Sequence, residues 1–274
     1  MDTQPSATDN ASINDNALIH HRALRSLFGL IIGADNQAFY ETVNWPQEIQ
    51  RVQNAHIAYP DYYRAPQFHG IDGGYLTSVA AITYDIVTAF ASPPSERWVR
   101  QQLITHIQGQ PFRILDLGCG TGSTTVMLKQ AYPNADVIGL DLSPYMLLMA
   151  ERKSQQTQQA IALHHGLAEA TGFDSASFDV VTASFLFHET PPVIAQAILH
   201  ECFRLTTSGG QVLILDGNQN VLRHLHWLID LFREPYSKVY AAGCMDRWFL
   251  AAHFVDVQTK SIGWIHQLTT GKKP

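Results

Sequence analysis

Ile114-Leu-Asp-Leu-Gly-Cys-Gly-Thr-Gly122 is the stretch that decides the fold. An apolar run that suits a first strand ends in glycines at 118, 120 and 122, and a helical stretch follows. Glycines at that spacing let the backbone turn tightly and approach a ligand, which then faces the N-terminus of the next helix. A dinucleotide fingerprint prefers GxGxxG, with room for a pyrophosphate. Here the spacing is GxGxG, and Asp116 precedes the first glycine by two residues. A carboxylate beside the loop repels phosphate and suits an ammonium or sulfonium. Val137-Ile-Gly-Leu-Asp141 reads as a second strand that ends in an acid 19 residues after Gly122. An acid in that place accepts hydrogen bonds from ribose hydroxyls.

Working outward, the runs Phe112–Leu117, Asp136–Asp141, Ile161–His165, Phe178–Ser184 and Gln211–Asp216 are short and apolar or β-branched. Helical stretches lie between them at about 121–132, 144–156 and 191–205. This alternation predicts a parallel sheet with helices on both faces. Gly209-Gly210 reads as a turn before the fifth strand, and 220–242 as one long helix that Pro235 kinks or breaks. Two alternating runs between Phe254 and Thr269 suit a closing hairpin.

Before the sheet the texture differs. Residues 1–15 are poor in apolar side chains and read as disordered. Leu18, Ile19, Leu24, Leu27, Phe28, Ile31 and Ile32 fall near one helical face, with Gly33 as a stop. Further helices are expected from about Asp35 to Thr42, from Trp45-Pro46, and over 75–90 and 95–108, the last capped by Ser95. Between them, residues 59–75 are rich in Pro, Gly and Tyr and read as an ordered aromatic loop. The expected organisation is therefore a disordered N-terminus (1–15), a helical cap or substrate region (16–109) and a ligand-binding α/β domain (110–274).

Composition narrows the function. The chain has 274 residues, 15% of them charged, and a formal charge of −6. Roughly 25% charge is usual, so a mostly apolar pocket is expected, and nothing marks a nucleic-acid footprint. No apolar run approaches membrane-spanning length. Met1 to Asn16 lacks the basic and apolar regions of a secretory signal. Cys119, Cys202 and Cys244 are far apart, without metal-binding spacing, and read as free thiols of a reducing, cytoplasmic setting. His20-His21, His164-His165 and the pair His224/His226 lack ligand spacing, so no metal is expected.

With loop, acid and βαβ context together, residues 110–270 resemble the class I S-adenosylmethionine-dependent methyltransferases, most closely their small-molecule, quinone-biosynthesis-like group. The resemblance implies a Rossmann-like, doubly wound, mostly parallel seven-stranded sheet, here with an N-terminal helical cap. It implies that Asp116, Gly118, Gly120 and Gly122 line the methionine half of the cofactor. Asp141 should bind the ribose and Leu142 should lie against the adenine, with Leu167 and Ala168 in the segment Gly166-Leu-Ala-Glu169. The family often carries an acid where this chain has Leu167, and Glu169 is the candidate substitute. Ser184-Phe-Leu-Phe-His-Glu-Thr-Pro191 should lie at the transferring methyl, with His188 as general base and Glu189 as its orienter; the same segment is alternatively pocket lining. Asp216-Gly-Asn-Gln219 opens onto the same edge and puts Asn218 beside the acceptor. His69 and Tyr75, from the aromatic loop, are expected on the acceptor side, and Arg64 as a clamp for the cofactor carboxylate. The acceptor is expected to be a small molecule with an oxygen, nitrogen or carbon nucleophile. Two rival readings are a nicotinamide-dependent reductase and a non-catalytic S-adenosylmethionine-binding protein.

Overall fold

The computed structural model describes residues 32–64 and 68–274. The helix expected over 16–32 falls almost wholly outside the described residues, as does the stretch 1–15. The chain divides into two compact units, Met1–Asn44 and Trp45–Pro274. In the first, Gly33 stands at φ 82° and breaks the chain before helix α1 (Ala34–Thr42).

The second unit is built on a seven-stranded sheet: β1 (Arg113–Leu117), β2 (Asp136–Asp141), β3 (Ala162–His165), β4 (Phe178–Ser184), β5 (Thr206–Gly217), β6 (Val255–Ile262) and β7 (His266–Lys272). The spatial order is β3-β2-β1-β4-β5-β7-β6, with β7 antiparallel to both neighbours and every other pairing parallel. The central strands have the near-continuous apolar runs of a sheet covered on both faces. Leu115 and Leu117 face one core cluster, with Val181, Ile214 and the buried side of Pro192–Leu205. Ile114 faces the other, with Val99, Leu103, Leu128 and Val180. Because β1 sits between β2 and β4, connections leave it in opposite directions. That switch point opens a crevice at the carboxyl ends of the strands.

Local signals account for several helix starts. Thr77, Ser95 and Ser143 cap the helices Ser78–Ala91, Glu96–Thr105 and Pro144–Thr157, each side chain accepting from a backbone N–H three residues on. Two expectations are corrected. Gly209-Gly210 is not a turn before β5: the strand begins at Thr206 and runs through both glycines, with its register to β4 shifting between Phe178 and Val180. The stretch 220–242 is not one helix but three: Gln219–Leu222, His226–Phe232 and Ser237–Ala242. Arg233 takes a left-handed conformation (φ 52°) that ends the second, and Pro235 prevents its resumption. A further helix, Met245–Ala251, was not foreseen.

Candidate active site

The glycine loop does what its spacing predicts. Gly118, Gly120 and Gly122 all have positive φ (61°, 54° and 79°). A side chain at Gly118 would also bring its Cβ within 2.9 Å of Leu186, so that position is closed twice over, by conformation and by space. The loop is tied to the end of β2: Gly120 N–H donates to Asp141 Oδ2 at 2.7 Å and Ser143 N–H to Oδ1 at 2.8 Å. Burial pushes the Asp141 carboxyl up to about 6, against the pull of those two bonds.

Above the loop lies a cleft lined by Gly118, Gly120, Asp141, Leu142, Gly166, Ala168 and Glu169 on the sheet side. Tyr62, Tyr63, Phe68 and Tyr75 close it with aromatic rings. Asp116 is elsewhere. It lies under the loop, 1% exposed, with Thr125 donating to one oxygen at 2.6 Å and Thr182 to the other at 2.9 Å. Its carboxyl, also pushed up to about 6 by burial, braces β1 to its neighbours and does not line the cleft.

A second chamber adjoins the cleft. Its walls are mostly apolar and come from the helices Ser78–Ala91 and His226–Phe232 and the approach to β7, with Val87, Leu228, Ile229, Phe232 and Ile265 prominent. Tyr84, Phe185 and Glu189 line both cavities, so the two meet at these side chains. Phe185 stands at φ 60°, a left-handed conformation that a side-chain-bearing residue rarely takes, and its N–H is held by the Leu215 carbonyl at 2.8 Å. This turn delivers the next residues into the site.

A chain of titratable side chains crosses the junction. His188 Nδ1 donates to Asp216 Oδ1 at 2.6 Å, while Asp216 Oδ2 accepts the Phe187 N–H at 2.8 Å. His188 Nε2 faces Glu189 Oε1 at 3.6 Å and Glu234 Oε1 at 3.8 Å. Burial lowers the affinity of His188 for its proton, but Asp216 and Glu234 outweigh it and hold the ring well above the ordinary histidine range. Burial likewise raises Glu189, yet the His188 and His69 rings dominate and hold its carboxyl at about 2. Tyr75 donates to Glu189 Oε1 at 2.5 Å and contacts His69 Nε2 at 2.7 Å. His69 Nδ1 lies 3.1 Å from the Phe232 carbonyl, which can only accept. With the Tyr75 proton committed to Glu189, His69 donates from both nitrogens, an arrangement that favours its charged form. The raised affinity of its ring agrees, with Glu189 outweighing burial.

The expected residues are thus sorted by position. Gly118, Gly120, Asp141, Leu142, Ala168 and Tyr75 line the cleft, His69 and His188 the chamber, and Glu189 both. Gly122 packs its backbone against Ala150 behind the loop. Leu167 pairs with Ala170 in an isolated bridge and is not among the lining residues, whereas Glu169 is, held by the Tyr62 hydroxyl at 2.6 Å. Ser184 is buried against Thr124 at 3.1 Å. Asn218 caps the helix Gln219–Leu222, accepting from the N–H groups of Asn220 and Val221. Arg64 ends the short helix Asp61–Arg64 and is exposed outside the cleft. Glu234 and His266 were not singled out in the sequence; they follow the broken helices and open the final hairpin, where no local pattern marks a site. Asp216 had a signal, since it is an acid closing a strand beside the switch point.

A model of a methyltransferase domain matches residues 114–210. The demethylmenaquinone methyltransferase of a Geobacillus species is 31% identical over 173 residues, 54% of this chain and 73% of the relative. That of Thermus thermophilus is 33% identical over 142 residues, 52% of this chain and 64% of the relative. The phosphoethanolamine N-methyltransferase 2 of Haemonchus contortus, solved in complex with S-adenosyl-L-methionine, shares the fold with a TM-score of 0.57 at 15% identity, over 80% of this chain and 61% of that one. This chain belongs to the S-adenosylmethionine-dependent methyltransferases. It spans 64%, 55% and 50% of the relatives from Thermus thermophilus, Deinococcus radiodurans and Lactobacillus johnsonii. The cleft fits the family's cofactor: the loop backbone is open where a Cβ would intrude, Asp141 ends β2 at its floor, and aromatic rings face it. This membership displaces the nicotinamide-reductase reading.

Proposed function

We propose that the chain transfers a methyl group to a small, largely apolar acceptor seated in the second chamber. The observation that carries this is the junction: the cofactor-type cleft and the apolar chamber share Glu189, Phe185 and Tyr84. S-adenosylmethionine, when bound, supplies an activated methyl group. Asp141 would accept from its ribose, Leu142 and Ala168 would pack its adenine, and Glu169 with Tyr62 would offer the polar edge that Leu167 lacks. Within the second unit, the helices between Trp45 and Gln110 would act as the cap, and the aromatic residues Tyr62, Tyr63, Phe68 and Tyr75 exclude water from the reacting end. Aligning donor and acceptor in this way contributes up to roughly 7–11 kcal/mol of barrier reduction.

His188 takes a different role from the free base that its position suggests. Flanked by Asp216, Glu189 and Glu234, it carries its proton at neutral pH and presents Nε2–H to the junction. An imidazolium there favours the ionised form of an acceptor hydroxyl, so the proton leaves to solvent and the oxygen stays nucleophilic. Asp216 orients the ring, and Tyr75 with His69 fixes Glu189. The relatives' names support a quinone-like acceptor, and the charge of −6 supports a small molecule over nucleic acid. All three cysteines are free thiols, which supports a reducing, cytoplasmic setting; among the described residues no helix is long and apolar enough to cross a membrane.

Two measurements test the reading together. Calorimetry should detect S-adenosylhomocysteine binding, and a small-molecule extract incubated with methyl-labelled S-adenosylmethionine should yield a labelled apolar product. Label found only in protein or nucleic acid, or no nucleoside binding, rejects it.

A further inference from the structure

His266 opens β7 and lines the second chamber, 5% exposed. Its Nδ1 is buried and has no hydrogen-bond partner in the protein. The ring packs against Phe185, centroid to centroid at 5.3 Å, and Phe185 is one of the side chains at the junction of the two cavities. Buried polar groups are almost always paired, so a histidine ring that lines the chamber with an unpaired nitrogen marks where something outside the protein completes the set. Several other polar groups of the chamber already have protein partners: His188 Nδ1 holds Asp216, His69 contacts Phe232 and Tyr75, and Glu234 accepts from Ser237 at 2.5 Å.

We propose that His266 is the residue by which the second chamber recognises its acceptor, hydrogen-bonding a hydroxyl carried on an otherwise apolar ring that lies beside Phe185. The inference rests on the methyl-transfer reading and names the acceptor class within it. Hydrogen-bond capacity selects the hydroxyl. Burial lowers the His266 ring to about 4, so it is neutral, with one donor and one acceptor nitrogen to match the hydroxyl's own donor and acceptors. The apolar walls from Val87, Leu228, Ile229 and Ile265 match the rest of a ring compound.

The probes are 1-naphthol and 1-methylnaphthalene, equal in shape and different in the hydroxyl. Each is titrated into the full-length protein with and without S-adenosylhomocysteine. The wild type should prefer the naphthol by about 10-fold, the equivalent of one net hydrogen bond. His266→Phe should bring the ratio to about 1 while leaving 1-methylnaphthalene binding unchanged. His266→Asn, which keeps a polar atom near the Nδ1 position, should retain part of the preference. Nitrogen NMR of labelled histidine in the wild type adds a readout that needs no variant: the His266 imidazole resonance should move with 1-naphthol and stay with 1-methylnaphthalene. An unchanged preference in a folded His266→Phe protein, a wild type without preference, or an unmoved resonance overturns the proposal. Failure of the methyl-transfer reading looks different: S-adenosylhomocysteine would not bind, whatever the naphthol titrations show.

Discussion

The cleft and the chamber beside it are built by opposite means. The cleft floor is backbone: three glycines in left-handed conformations, and a carboxylate whose two oxygens already accept the Gly120 and Ser143 N–H groups. The polar network at the chamber is mainly side chain, drawn from positions 69, 75, 188, 189, 216 and 234. In the first, function needs a shape that few residues can provide. In the second, it needs a balance of charges, and each member's protonation depends on the others.

That contrast is open to direct tests. The largest effect should come from the chamber. With an acceptor found by the labelled-methyl screen, His188→Ala should lower kcat by about 10²–10³-fold, the range for losing one positioned donor to developing charge. Binding of S-adenosylhomocysteine should be little changed, and the remaining rate should rise with pH as the acceptor ionises unaided. An unchanged kcat and pH profile would reduce His188 to lining. In the cleft, Asp141→Ala should weaken S-adenosylhomocysteine binding by roughly 1.5–3 kcal/mol, about 10- to 150-fold, as for other charged hydrogen bonds. Calorimetry giving wild-type affinity would remove Asp141 from the binding set.

Stability against pH should separate the regions by sign. In the ligand-free protein, Asp141 has a folded value of about 6 against an ordinary 3.8, so its charge costs stability above pH 6 and that cost disappears as pH falls to 3.8. Glu189 runs the other way: held at about 2 against an ordinary 4.5, it contributes stability above pH 4.5 that is lost as pH falls toward 2. His69 and His188, both raised, contribute stability below about pH 6.5 that is lost as pH rises through their folded values. Denaturant unfolding should therefore show Asp141→Asn with a smaller gain between pH 6 and 4, Asp116 supplying the remainder, and Glu189→Gln with a smaller loss below pH 4.5. Parallel pH curves for both variants and the wild type would contradict the division.

The smallest effect belongs to a residue that sequence placed in the chamber and the structure places in a cap. Asn218→Ala should cost about 0.5–2 kcal/mol in thermal or chemical denaturation, with KM for the acceptor unchanged. A large rise in KM with intact stability would restore it to the site.

How far each region was legible follows from the range of its causes. The glycine loop and Asp141 lie within one βαβ unit, so spacing alone located them, and β2 and β4 fall where the apolar runs predicted. The boundaries that failed were set from a distance. Gly209-Gly210 stays within β5 because it exchanges backbone hydrogen bonds with Lys273 while the register to β4 slips past it, which the local sequence does not show. Asp116 was expected to face a ligand because it stands two residues from Gly118, but strand alternation and two threonines, one from β4, turn it under the loop. Arg64 has the right charge in the right loop, yet its short helix carries it to the surface while its neighbours Tyr62 and Tyr63 turn inward.

By itself, the sequence determined the strand alternation, the switch point and the residues that glycine conformation and a strand-ending acid make indispensable, because those depend on contacts within a few dozen residues. Only the tertiary structure decided which charges meet. His188, in the turn after β4, sits 2.6 Å from Asp216 on β5 and near Glu234 in the break between two later helices, and these neighbours raise the affinity of the ring for its proton. Protonation in a buried site is set by what lies within a few ångströms in space, and chain order carries no measure of that distance.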